Sequence, residues 1–160
     1  MKESNIKVII TEPMRQARIC TIKNELKEFQ RIVGGNIETL CFNPEDDNAI
    51  LICNENGKMN QMPWNRLLIY NGEAYDIVAG PMIIAGDDYI NGEFKSLTDK
   101  QAENYLNQFF YPEIHYVENG KLKGIAFDDP LVDYENFSEF TTEGRRQKYD
   151  NLLRQNYIFY

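Results

Sequence analysis

Four Asn-Gly dipeptides, at 56–57, 71–72, 91–92 and 119–120, cut the chain into short segments and constrain the sheet it can build. Asn-Gly readily supplies the two consecutive positive φ angles of a tight type I′ turn, which joins antiparallel neighbours. β-Branched and apolar runs lie around these turns. Residues 6–10 form one such run, ending at Glu12-Pro13, and residues 17–22 read as its partner strand. Residues 36–42 and 49–54 read as two more strands joined by the polar turn 43–48, and Asn56-Gly57 predicts a type I′ turn directly after them. The stretch 58–75 reads as irregular, with Pro63, Trp64 and the second Asn-Gly. Residues 77–85, broken by Gly80-Pro81, read as a single buried strand with a bulge or edge kink. Asn91-Gly92 marks a further turn, and residues 113–127 read as a hairpin around Asn119-Gly120.

Helical periods interrupt this pattern. Leu26, Phe29, Ile32 and Val33 follow helical spacing, with Gly34 where a left-handed C-terminal cap belongs. Thr98 and Gln101 have the spacing of a capping box, and Leu97 can staple against Ala102. The helix they open carries Ala102, Tyr105, Leu106, Phe109 and Phe110 on one face, and Pro112 ends it. Asp129-Pro130 and Thr142-Glu143 mark two later helix starts. Strands separated by single helices and joined by hairpin turns predict an α+β fold: a mostly antiparallel sheet packed with two helices, plus a C-terminal hairpin and helices. The expected division is a core of residues 1–110 and an appendage of 111–160. Glu-Asn-Gly-Lys recurs at 55–58 and 118–121 through shared turn chemistry, not duplication.

Composition narrows the function classes. A net charge of −8 and a pI near 4.7 oppose direct DNA binding, whose affinity rests on phosphate neutralisation by Lys and Arg. No apolar run has the length of a signal peptide or membrane span, which predicts a cytoplasmic protein without membrane contact. Cys20, Cys41 and Cys53 are far apart in apolar, strand-like runs and read as small buried hydrophobes. With His115 as the sole histidine and no CxxC, a Cys/His zinc site lacks ligands, and no cofactor is implied. Ten Tyr and nine Phe leave room for an apolar interface and a homo-oligomer.

The block from residue 33 to 86 resembles a family of uncharacterised small proteins of bacteriophages and bacterial mobile elements. The resemblance is carried by Val33-Gly34-Gly35-Asn36-Ile37-Glu38, Asn54-Glu55-Asn56-Gly57-Lys58, Pro63-Trp64-Asn65-Arg66 and residues 76–86. It extends over about residues 6–105, with Ser96-Leu97-Thr98-Asp99 matching the usual final helix start. The family brings no established chemistry. What the resemblance implies is a mobile-element setting and a role against host defence.

Two candidate surfaces emerge. Lys58, Asn60, Trp64, Asn65 and Arg66 combine two cations, two amides and an indole. Lys and Arg would take phosphate, the amides would read a base edge, and Trp64 would stack, as a nucleotide-like ligand requires. In the competing account the amides satisfy loop backbone and Trp64 fills the core. The second surface lies in the tail. Asp128, Asp129, Asp133 and Glu135 interleave with Tyr134 and Phe137 in a stretch, 124–144, without Lys or Arg. Such a face would dock a basic host protein or imitate nucleic acid, unless it is simply the solvated side of a packed helix.

Gly34-Gly35 follows a helix instead of opening one, so it is a terminator and not a phosphate cradle. Asp46-Asp47, Asp87-Asp88 and Asp128-Asp129 lie in turns or at a helix start, where Asp is expected, and His115 reads as a satisfied strand residue. No nucleophile motif or Walker loop appears. The expectation is a non-enzymatic accessory protein that sequesters a nucleotide-like small molecule as a counter-defence sponge; the alternative is a regulator of a partner protein through the acidic tail.

Overall fold

The computed structural model describes residues 2–127. Its centre is a six-stranded antiparallel sheet built from β1 (Asn5–Thr11), β2 (Arg18–Lys23), β3 (Ile37–Leu40), β4 (Ala49–Asn54), β7 (Met82–Asp88) and β8 (Glu93–Lys95). The order is β2-β1-β7-β4-β3, with β8 continuing beside β7 past the end of β1. Two hairpins form separate two-stranded sheets: β5 (Trp64–Tyr70) with β6 (Glu73–Ala79), and β9 (Glu113–Glu118) with β10 (Lys121–Ala126). With helices α1 (Leu26–Val33) and α2 (Asp99–Phe109), the described residues are α+β and mostly antiparallel.

Side-chain alternation along the strands gives the sheet two apolar faces. Ile6, Val8 and Ile10 of β1, Ile52 of β4 and Ile83 and Ala85 of β7 form one face, covered by Phe29 and Val33, one turn apart on α1. Ile9, Leu51, Met82 and Ile84 form the other. That face is covered by Ala102, Tyr105 and Phe109 of α2 together with Leu68 and Val78 of the β5–β6 hairpin. β7 therefore lies between two layers, which is why its first five residues are all buried.

The helix signals work as their chemistry dictates. Thr98 Oγ1 accepts from the Gln101 amide at 3.1 Å, and Gln101 Oε1 accepts from the Thr98 amide at 2.9 Å, closing the capping box. Gly34 takes φ 81° at the end of α1 and donates to the Gln30 carbonyl. The polar turn after β3 is tied to α2 through Asp46, which accepts from the Tyr105 hydroxyl and the Gln101 side-chain amide.

The sheet departs from the expected plan at the middle of the chain. Residues 58–75 are irregular only as far as Pro63: Trp64–Tyr70 is strand β5, and Asn71-Gly72, with φ 51° and 77°, is a type I′ turn. Nor do residues 77–85 make one kinked strand. The chain leaves one sheet at Ala79, turns through Gly80 at φ 84°, and enters the central sheet at Met82. Asn56-Gly57 is not a type I′ turn, since neither residue has positive φ; residues 56–60 make one helical turn closed by the Asn60 amide donating to the Asn56 carbonyl at 2.8 Å, and Gln61 then takes φ 55°. A Cβ on Gly57 would collide with the carbonyl oxygen of Ala79, so this glycine provides space for β6. Of the cysteines, Cys53 is buried in β4, Cys20 is half-buried, and Cys41 is exposed just beyond β3. The helices expected after Asp129 lie outside the described residues. Among the described residues no helix is long and apolar enough to cross a membrane.

Candidate functional site

The residues expected to form one ligand surface at 58–66 occupy different environments. Lys58 is exposed and ion-pairs with Asp76 of β6 at 2.5 Å, while Asn60 lies exposed on the helical turn. Trp64 is half-buried, its ring edge-on to His115 with centroids 6.1 Å apart. Asn65 and Arg66 are fully buried. The Asn65 amide donates to the carbonyls of Thr11 at 2.7 Å and Gly80 at 3.0 Å, stitching β5 to the end of β1 and to the sheet-switching turn. The Arg66 guanidinium donates to the carbonyls of Arg15 (2.7 Å) and Phe109 (3.2 Å) and to Asn65 Oδ1 (3.0 Å). Phe109 ends α2, where helical carbonyls lack amide partners and a cation is favoured. Five fixed donors suit Arg to this interior task and take it away from any surface shared with Lys58 and Asn60. The tail residues Asp128, Asp129, Asp133, Tyr134, Glu135 and Phe137 lie outside the described residues.

The other motif residues are likewise occupied by architecture. Asn54 donates to the Val33 carbonyl at 3.1 Å and accepts from the Asn56 amide at 2.8 Å, joining the end of α1 to the helical turn. Met62 packs against Gly80, where a Cβ would come within 2.8 Å of its methyl group.

A groove of about 380 Å³ opens instead between the two outer hairpins. One wall comes from β5 and β6 (Leu67, Ile69, Gly72, Ala74) and the other from β9 and β10, including Glu113, Tyr116, Leu122 and Lys123. Gly124 lets the walls close: a Cβ there would be 3.0 Å from Leu67 and 3.3 Å from the Glu113 carboxylate. Glu113 is held on one side only. Its Oε1 accepts from the Leu67 amide at 2.8 Å and lies 3.1 Å from Nε2 of the fully buried His115. Oε2 takes no hydrogen bond from the described residues, and Glu113 lines the groove. Among the described residues the buried His115 Nδ1 has no hydrogen-bond partner and the imidazole bonds only to Glu113, which it supports from the interior. Among the described residues the groove combines several apolar side chains with one aromatic ring, one carboxylate and one exposed cation, within the roughly 300–1,000 Å³ range of small-molecule sites.

Sequence reasoning passed over Glu113 and Lys123 because neither belongs to a motif. The available signal was weak: Glu113 and His115 are two apart on a strand and so share a face, and His115 is the sole histidine. Among the described residues no three His, Cys, Asp or Glu side chains gather as a metal ion would require.

No curated protein and no solved structure matches the chain. A family model does match, over residues 6–110, from β1 through the residue after α2; the β9–β10 wall of the groove lies beyond it. By that match the chain belongs to the family defined by a domain of unknown function, DUF3846.

Proposed function

We propose that the protein is a small-molecule binding module, not an enzyme, and that it takes a nucleotide-like ligand in the groove between the β5–β6 and β9–β10 hairpins. The observation that carries this reading is Glu113, a groove-lining carboxylate fixed through Oε1, with no hydrogen bond to Oε2 from the described residues, in the same lining as Lys123. A prepositioned carboxylate accepts from ribose hydroxyls or an exocyclic amine, Lys123 meets a phosphate, and Tyr116 with Leu67 and Leu122 faces the base. In the mobile-element setting implied by the sequence resemblance, such a module would withhold a nucleotide signal from host defence.

Thermal unfolding with mononucleotides and cyclic nucleotides tests this. A bound nucleotide at a hundredfold excess over its dissociation constant stabilises by about 2.7 kcal/mol. That shift should disappear in the double variant Glu113→Gln, Lys123→Ala and persist in Lys58→Ala. No shift with any nucleotide, or an undiminished shift in the double variant, overturns the reading.

A further inference from the structure

A second cleft, of about 360 Å³, lies where the tip of the β5–β6 hairpin meets the turn after β3. It is lined by Cys41, Pro44, Tyr70, Glu73, Ala74 and Tyr75. Tyr70 is 45% exposed and Tyr75 52%, although the Asn71-Gly72 turn between their strands requires no aromatic residue. Tyr75 is aimed by the backbone. The register runs from Leu68↔Asp76 to Ile69↔Ala74, leaving Tyr75 as the extra residue of a bulge, a device that redirects a side chain. Its hydroxyl then donates to the Phe42 carbonyl at 3.1 Å, fixing the ring over the cleft. Burial, aided by the Asp76 charge, pushes the Tyr75 phenol up, so it stays a neutral donor. Among the described residues neither Tyr70 nor Tyr75 packs against another aromatic ring. No Lys, Arg or His among the described residues lines the cleft, and the one charge in its lining is the Glu73 carboxylate.

We infer that this cleft is a binding site for a planar, uncharged nitrogen heterocycle of nucleobase size, held against Tyr70 and Tyr75 with a ring N–H or amine directed to Glu73. The site is separate from the groove beside Lys123 and selects differently. Two exposed tyrosines and a proline offer stacking area to any flat ring. A single carboxylate and no cation among the described lining residues disfavour a phosphate, so nucleosides should outbind their monophosphates here.

Cys41 provides the readout, because its exposed thiol lines the cleft. The full chain is alkylated with iodoacetamide in the presence of adenosine, guanosine, cytidine or uridine, or of their 5′-monophosphates, and modification at each cysteine is followed by peptide mass spectrometry. At least one nucleoside should slow alkylation of Cys41 by about tenfold at saturation and leave Cys20 unchanged, with its monophosphate protecting less. Tyr70→Ala should weaken that protection by about tenfold or more, the scale of a lost stacking partner. Tyr75→Phe, which keeps the ring but loses the anchor to Phe42, should weaken it less. Unprotected Cys41 with all four nucleosides at about 1 mM overturns the inference. So does protection that survives both Tyr70→Ala and Tyr75→Ala in folded protein, or that is stronger with monophosphates.

Discussion

The space beside Gly35 is filled by the side-chain amide of Asn54: a Cβ at position 35 would lie 2.8 Å from Asn54 Nδ2. That amide is already committed to the Val33 carbonyl at the end of α1, and Asn54 is buried, so it cannot swing aside freely. Gly35→Ala should therefore destabilise the protein by about 1–3 kcal/mol, the usual cost of overpacking an interior site. Urea unfolding measures this. A variant of unchanged midpoint would show that Asn54 is not a fixed tie between α1 and β4.

Arg66 supports a parallel expectation. Its guanidinium is fully buried and ties Arg15 to the C-terminal end of α2. Arg66→Ala would strand those carbonyls, with an expected loss of about 3 kcal/mol. Arg66→Lys should restore little of it, since an ammonium lacks the planar spread of donors. If Arg66→Ala unfolds within about 0.5 kcal/mol of the wild type, the residue is not an internal tie.

The parts of the fold legible in the sequence are those whose determinants are local. The capping box at Thr98 and Gln101, the αL cap at Gly34 and the turn at Asn119-Gly120, with φ 52° and 75°, need only their neighbours in the chain. The β5–β6 hairpin was obscured because Asn65 and Arg66 look like surface residues. What buries them is a set of carbonyls supplied by Thr11, Arg15, Gly80 and Phe109, up to 54 positions away in the chain. Gly57 misled for a related reason: its constraint is the approach of Ala79, invisible to turn chemistry. The groove is harder still, since its walls come from two hairpins that touch only in three dimensions.

Alkaline pH should unfold the protein through two buried acids. Burial, then the charges of Glu38 and Asp76, push the Cys53 thiol from 9.0 up to about 11. Burial and the bond to Asp46 likewise raise the Tyr105 phenol. Both groups hold their protons more tightly folded than unfolded. Their contribution is therefore complete below the ordinary thiol value of 9.0 and is lost as pH rises toward the folded values near and above about 11. Urea midpoints across that window should fall steadily. Cys53→Ala, whatever it costs at neutral pH, should flatten the slope, and Tyr105→Phe should flatten it further. An unaltered slope in the double variant would assign the alkaline transition elsewhere.

In the proposed arrangement the motif residues of the middle block build the fold and the ligand is taken between the hairpins. Amide chemical-shift mapping of the nitrogen-15-labelled full chain, titrated with adenosine 5′-monophosphate, tests it most directly. Saturable shifts are expected at Leu67, Gly72, Lys123 and Gly124, with Lys58 and Asn60 unmoved. Shifts centred on Lys58 and Asn60, or none anywhere, would contradict it.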